Sequence, residues 1–317
     1  MPALSDTLVV DFTWYLPGPY ASRELLRLGA RVVHVEPPAG DPMRSMMPDW
    51  HDLINAGKES VVCDLKSEEG LALANALCAR ADAVLDGFRP GVLERLGLTI
   101  PDTAVRASVT GFGEGNRHEQ RAGHDVNYLG WAGVLADTAP SLAPIQVADL
   151  AAGGLSAALE VVAGLLERER TGRGGHIVVS MTHGSHRLVA HRAETGRERV
   201  LTGGLACYRM YATADGRWLT VGALEPKFWQ RLCEVAGRPE LGERQFDPEQ
   251  EEVAASLAEA IAARPLDEWL DVFDGEDVCA GPVWTIEEAG EEFGFEPIGA
   301  APALGEHTDA WRAELEA

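Results

Sequence analysis

Three residues suited to acid–base chemistry stand out by type and setting. His124 lies in Gly123-His124-Asp125-Val126-Asn127-Tyr128 and Asp149 in Val147-Ala148-Asp149-Leu150-Ala151-Ala152-Gly153-Gly154. Glu225 lies in Gly222-Ala223-Leu224-Glu225-Pro226-Lys227-Phe228. A His and an Asp facing each other across a substrate carbon can remove a proton from one side and return one from the other. That is the minimum equipment for inverting a stereocentre beside a carbonyl. Each residue also has a plainer reading. Asp is a favoured helix N-cap, a single His is more often exposed or a satisfied core group, and a Glu before Pro226 can simply open a helix.

The elements around these residues follow from periodicity. Thr7 to Phe12 is a short apolar run of the buried-strand type, and Pro19 suits the first position of a helix over Tyr20 to Leu28. Gly29 ends that helix, and Arg31 to Glu36 forms a second strand, completing a β-α-β unit. Strands are expected at Ser60–Leu65, Ala83–Phe88, Val105–Thr110 and His176–Met181, with a helix capped by Ser67 running to Ala81. Asp149 falls where a long helix should begin, with Leu155, Leu159, Val162 and Leu165 at helical spacing. Strands alternating with helices predict an α/β fold with a mainly parallel sheet.

Past residue 190 the pattern changes. Tyr208–Thr213 and Trp218–Val221 flank Asp215-Gly216 and read as a β-hairpin. Helices are expected near 227–236, 250–263 and 266–274, with another at the end of the tail. Residues 1–190, completed by a tail over 291–317, are read as a large domain. Residues 191–204 are read as a linker and 205–290 as a smaller α+β domain.

Composition narrows the partners. The 317 residues are 46% apolar and carry a net charge of −23, which argues against nucleic acid and anionic membrane as partners. No apolar run reaches the length of a membrane span, and the start does not read as a signal peptide. Five scattered cysteines without metal-ligand spacing suit a reduced, cytoplasmic protein. His183 and His186 have metal-compatible spacing but no partner cluster, so no metal is expected. Only three lysines occur, and two of them, Lys58 and Lys66, fall in one short stretch.

The opening Val-Val-Asp-Phe-Thr-Trp-Tyr-Leu-Pro-Gly-Pro, then Leu-Gly-Ala-Arg-Val-Val-His-Val-Glu-Pro-Pro-Ala-Gly-Asp-Pro-Met-Arg44, resembles the family III CoA-transferase superfamily (CaiB/BaiF type). So do Asn55-Ala-Gly-Lys58, Asp64-Leu-Lys66, Gly87-Phe-Arg89-Pro-Gly and the tail Leu304-Gly-Glu-His-Thr-Asp309. The contexts of His124, Asp149 and Glu225 resemble its α-methylacyl-CoA racemase branch. The resemblance implies a Rossmann-like large domain and an interlocked homodimer acting on an acyl-CoA thioester. It implies α-proton transfer by His124 and Asp149 through an enolate, with the amides at the Asp149 helix start stabilising the enolate oxygen. Glu225 would orient the His124 ring. Arg44, Lys58, Lys66, Arg89 and Tyr128 would bind substrate, and no cofactor beyond the CoA of the substrate would be needed. A transferase using Asp149 as nucleophile, a specialised enzyme of secondary metabolism, or a non-catalytic CoA-binding protein stay open. The segment before His124 lacks the family's usual Gly-Pro, and Ala151-Ala152 replaces part of a more glycine-rich stretch.

Overall fold

The computed structural model describes residues 2–194, 200–295 and 298–317. It divides into two compact units, Met1–His191 with Pro297–Ala317, and Arg192–Glu296. The first is built from β1 (Leu8–Asp11), α1 (Pro17–Arg27), β2 (Arg31–Glu36), α2 (Met43–Met46), α3 (Pro48–Asn55), β3 (Glu59–Val62), α4 (Glu68–Arg80) and β4 (Ala83–Asp86). It continues through α5 (Val92–Leu96), β5 (Val105–Thr110) and α6 (Asp125–Trp131). A π-helical stretch (Ala148–Leu155) then runs into α7 (Ser156–Thr171), followed by β6 (His176–Ser180) and α8 (Met181–Glu194).

The six strands form one sheet in the order β3-β2-β1-β4-β5-β6, and every neighbouring pair is parallel. Such a sheet must be covered on both faces, so its central strands are apolar on both. Successive residues alternate between faces. Val9, Val32 and Leu85 pack into one cluster with Leu25 of α1 and Val161 of α7, whereas Val10, Val33 and Val84 pack into another with Leu77 of α4. Each such aliphatic side chain contributes about 1.5–3 kcal/mol when fully buried.

Local signals explain most boundaries. Ser67 accepts a hydrogen bond from Gly70 N at 3.0 Å, with Glu68 and Glu69 in the first turn of α4. α1 starts at Pro17 rather than Pro19, so it is Pro17 that takes the early helical position. The segment 191–204, expected as a linker, begins inside α8 and includes a 3-10 turn at Val200–Thr202. Its residues 195–199 lie outside the described residues.

One helix among the described residues, Ala148–Thr171, is long and apolar enough by length and composition to cross a membrane, contrary to the expectation that no run would be. In this fold Ala157, Ala158 and Val161 are buried in the sheet cluster.

The second unit holds an antiparallel sheet of β7 (Tyr208–Ala212), β8 (Trp218–Gly222) and β9 (Ala280–Pro282). The hairpin turns at Asp215-Gly216 as expected, while β9 had no sequence signal. α9 (Pro226–Val235), α10 (Gln250–Ile261) and α11 (Leu266–Phe273) bury Trp229, Leu257 and Trp269 in the core of this unit, and α12 (Ile286–Phe293) follows. The chain then returns to the first unit, where α13 (Thr308–Glu316) places Trp311 in the cluster beneath β2 and β3.

Candidate active site

Strand order reverses between β1 and β4, and in doubly wound sheets ligands bind beyond the carboxyl ends of the strands at that point. A cavity of about 640 Å³ lies there. It is lined by Phe12 and Thr13 after β1, Phe88 and Arg89 after β4, Gly111 after β5 and Met181 after β6, together with His124, Tyr128 and Asp149.

His124 is the N-cap of α6 in extended conformation, and its backbone N–H donates to Asn127 Oδ1 at 3.0 Å. Tyr128 fixes the preceding turn: its hydroxyl donates to Gly123 O at 2.5 Å. A Cβ at position 123 would sit 2.7 Å from the Tyr128 ring, so only glycine fits there. Asp149 is the second residue of the π-helical stretch, not a helix cap. Gly154 lets this stretch approach α1, since a Cβ there would meet Tyr20 at 2.7 Å and Pro17 O at 2.9 Å. Such π segments occur often at functional sites.

Asp149 is 8% exposed and has no side-chain hydrogen bond among the described residues. Burial, aided by the charge of Asp125, pushes its carboxyl up to about 7. Asp149 N donates to Asp125 Oδ1 at 3.0 Å and Leu150 N to Gln146 O at 2.9 Å. These amides are therefore committed, and the expected stabilisation of an enolate oxygen by them does not fit this geometry. The Asn127 side-chain nitrogen is a different donor group at the cavity, because the oxygen of that amide is the atom holding His124.

A second cavity of about 320 Å³ is apolar, lined by Leu16, Met43, Met46, Met47, Trp50 and Leu129 among others. Tyr15, His124 and Asp149 line both cavities. His124 and Asp149 thus stand at a seam between a chamber edged by arginines and an apolar one. Tyr15 has φ 65°, in the left-handed region, which costs a non-glycine residue about 1–2 kcal/mol. Its ring lies 6.1 Å from the His124 ring, edge to face.

The expected substrate-binding residues divide. Arg89 and Tyr128 line the first cavity, although the Tyr128 hydroxyl is occupied by Gly123. Arg44 does not line either cavity. Its Nε and Nη2 donate to the two Glu36 oxygens at 2.7 Å, and Nη1 donates to Pro302 O at 3.0 Å. Lys58 is 3% exposed. Its ammonium donates to Pro19 O and Asn55 Oδ1, both at 2.8 Å, and lies 3.7 Å from Asp11 Oδ2. Burial pulls this ammonium down to about 8 against the raising influence of Asp11. Arg44 and Lys58 are thus held by partners within their unit, and neither lines these two cavities. Lys66 is exposed and lines neither cavity. Glu225 belongs to the second unit, where it precedes Pro226 at the start of α9.

Sequence reasoning assigned no role to Tyr15, Asn127 or the methionine wall, although Tyr15, Asn127 and Met43 lie inside the motifs that carry the resemblance. It also missed Arg121, which lines the first cavity with its guanidinium 5.3 Å from the Trp131 ring centroid. A buried trio, His34, Glu36 and His51, offers ligand atoms within 4.8 Å of one another. A cation fits it poorly. The Glu36 oxygens already accept from Arg44 twice, from Ser60 Oγ and from Asp41 N. The adjacent guanidinium would also repel a metal ion.

A family model described as CoA-transferase family III matches residues 4–308. The chain belongs to this family. Its family III relatives perform more than one reaction. The human alpha-methylacyl-CoA racemase is 35% identical over 311 residues, covering 90% of this chain and 79% of the relative. The acetyl-CoA:oxalate CoA-transferase of Acetobacter aceti is 31% identical over 316 residues, covering 89% and 81%. The crystal structure of Rv3272 from Mycobacterium tuberculosis superimposes with a TM-score of 0.84 at 28% identity, covering 98% of this chain and 99% of that one. The chain is an enzyme of the family III transferase and racemase group, and acyl-CoA thioesters are the substrates that fit this family.

Proposed function

We propose that this enzyme is a racemase or epimerase of 2-methyl-branched acyl-CoA thioesters. The observation that carries the reading is the shared position of His124 and Asp149 at the seam of the two cavities. The CoA arm occupies the chamber containing Arg89 and Arg121, and the acyl chain occupies the apolar chamber. This places the α-carbon beside the pair.

The thioester carbonyl acidifies the α C–H bond. The neutral imidazole of His124 takes that proton, and the C–H electron pair moves into an enolate. The acid form of Asp149 then donates its proton to the opposite face, leaving imidazolium and carboxylate. The reverse direction exchanges the roles. A carboxyl brought to about 7 is populated in both forms near neutrality, as a group serving as both acid and base requires. Asn127 hydrogen-bonds the enolate oxygen. No cofactor is needed beyond the CoA carried by the substrate. The resemblance further suggests a homodimer in which Glu225 of a second chain orients His124. A monomer by light scattering would remove that part of the proposal.

The deciding experiment incubates one enantiomer of a 2-methylacyl-CoA with the enzyme in D₂O. Deuterium uptake with inversion, lost in His124→Ala, is the expected result. Absence of exchange across several acyl chains would sink the reading. The transferase relatives favour a second reading, in which Asp149 attacks the thioester to form a mixed anhydride and release CoA. Hydroxylamine trapping of an acyl group on Asp149 would establish it.

A further inference from the structure

Tyr15 holds an unusual backbone conformation at the seam of the two cavities. Among the described residues, positive φ is taken by glycine everywhere except at Tyr15 and Cys279. A bulky side chain in that region is an outlier whose persistence calls for a reason at the site. Core packing does not supply one, because Tyr15 is 41% exposed. Its backbone N–H faces the buried Asp41 carboxylate, which helps hold the conformation, but its hydroxyl has no partner among the described residues. Its ring instead lines both cavities and stands perpendicular, at 87°, to the His124 ring. The loop carrying it is short, bounded by β1 at Asp11 and α1 at Pro17. Thr13 in this loop is tied to Asp11 by its amide at 2.9 Å and its hydroxyl at 2.5 Å. The backbone that carries the ring is therefore anchored beside the seam.

We propose that Tyr15 is a positioning and selectivity residue: its ring partitions the two chambers and supports the edge of the His124 imidazole. The proposal rests on the acyl-CoA reading above and adds the group that decides how the acyl chain passes the acid–base pair. With the ring present, an acyl chain reaches the apolar chamber only alongside His124 and Asp149. Without it, the chambers merge. The α-carbon then loses its fixed place, and His124 loses the surface that holds its plane.

The test compares wild type with Tyr15→Phe, Tyr15→Gly and Tyr15→Asn. Glycine relieves the backbone conformation and asparagine tolerates it, so both variants should fold, as thermal melts will show. Two readouts are taken: equilibrium binding of CoA, acetyl-CoA and 2-methyldecanoyl-CoA, and the rates of deuterium uptake and inversion. The Phe variant should match wild type within about twofold. In the Gly and Asn variants CoA affinity should hold. The long-over-short preference in binding should fall about tenfold, and inversion should fall about 10²-fold as the reacting groups lose alignment. An unchanged preference in the Gly and Asn variants would overturn the proposal. So would a Phe variant as impaired as the Gly variant, because the hydroxyl would then be the working group. If wild type binds the thioesters without exchanging a proton, the racemase reading fails and the binding preference alone decides the role of Tyr15. If wild type binds no thioester, both fall.

Discussion

Two sets of polar groups surround the ends of the same parallel strands, and they are treated in opposite ways. Asp11, Ser22, Lys58, Glu36 and Ser60 are buried and supplied with partners. Asp11 accepts from Thr13 and from Ser22, with Lys58 beside it, and Glu36 accepts four hydrogen bonds. At the cavity, the Asp149 carboxyl accepts no hydrogen bond among the described residues, and for hydrogen bonding the His124 ring meets only the Asn127 amide at the start of α6. A buried polar group without a partner costs about 1–3 kcal/mol, which applies to the Asp149 carboxyl, whereas His124 is exposed. Open valences also occur away from the two cavities, at Asp41 Oδ2, His51 Nε2 and Ser185 Oγ, so the contrast holds for these two sets and not as a rule.

The comparison can be broken at several points. The largest effect is expected at the open pair. His124→Ala or Asp149→Ala should lower α-proton exchange by about 10²–10⁴-fold with the urea midpoint little changed. A collapse in stability would show that these residues belong to the scaffold. Lys58→Ala should do the reverse. Removing one partner of a buried pair costs about 3–5 kcal/mol, read by urea unfolding, while the folded fraction keeps its affinity for CoA. Arg89→Ala should weaken CoA binding about tenfold by calorimetry and shift stability by no more than about 0.5 kcal/mol.

The smallest effects concern pH. Arg44 and Ser60 outweigh burial and hold Glu36 down at about 2. Its contribution to stability is complete above its ordinary 4.5 and is lost as pH falls through about 2. Thermal melts of Glu36→Gln should lack that acid-side loss. Asp149 runs oppositely. The native state favours its protonated form, so its contribution is complete below 3.8 and lost as pH rises through about 7. Asp149→Asn should therefore melt a few degrees above wild type at pH 8 and converge with it near pH 4.

What could be read from the sequence follows the range of the forces involved. The central strands, the Ser67 cap and the Asp215-Gly216 hairpin were legible because runs of Val, Ile and Leu, capping hydroxyls and turn glycines act locally. His124 and Asp149 were legible because their neighbours form recognisable contexts. β9 was not, since Ala280–Pro282 pairs with β8 across about sixty residues of chain and has no pattern of its own. The partners of Arg44 and Lys58 were not legible for a related reason. A basic residue in sequence says nothing of whether a carboxylate waits for it inside, and Glu36 and Asp11 are brought there only by tertiary packing. Asp149 looked like a cap because Asp often is one; its place inside a π-helical stretch, with Gly154 lying against α1, has no local sign.

The tail that carries Trp311 bears on how the molecule is made. β3 is an edge strand, and an open edge invites pairing with other chains. Its cover comes from the far end of the sequence. His307 N donates to Ser60 O at 2.9 Å, Val62 N donates to Thr308 Oγ1 at 3.0 Å, and the Trp311 indole donates to Glu59 at 2.5 Å. During synthesis the sheet therefore waits with one side open while the whole second unit is translated. A chain ending near residue 300 should aggregate on refolding where the full chain does not, as light scattering would register. The last dozen residues act as a closing seal, and a ribosome that stops short of them releases a protein whose sheet has never been shut.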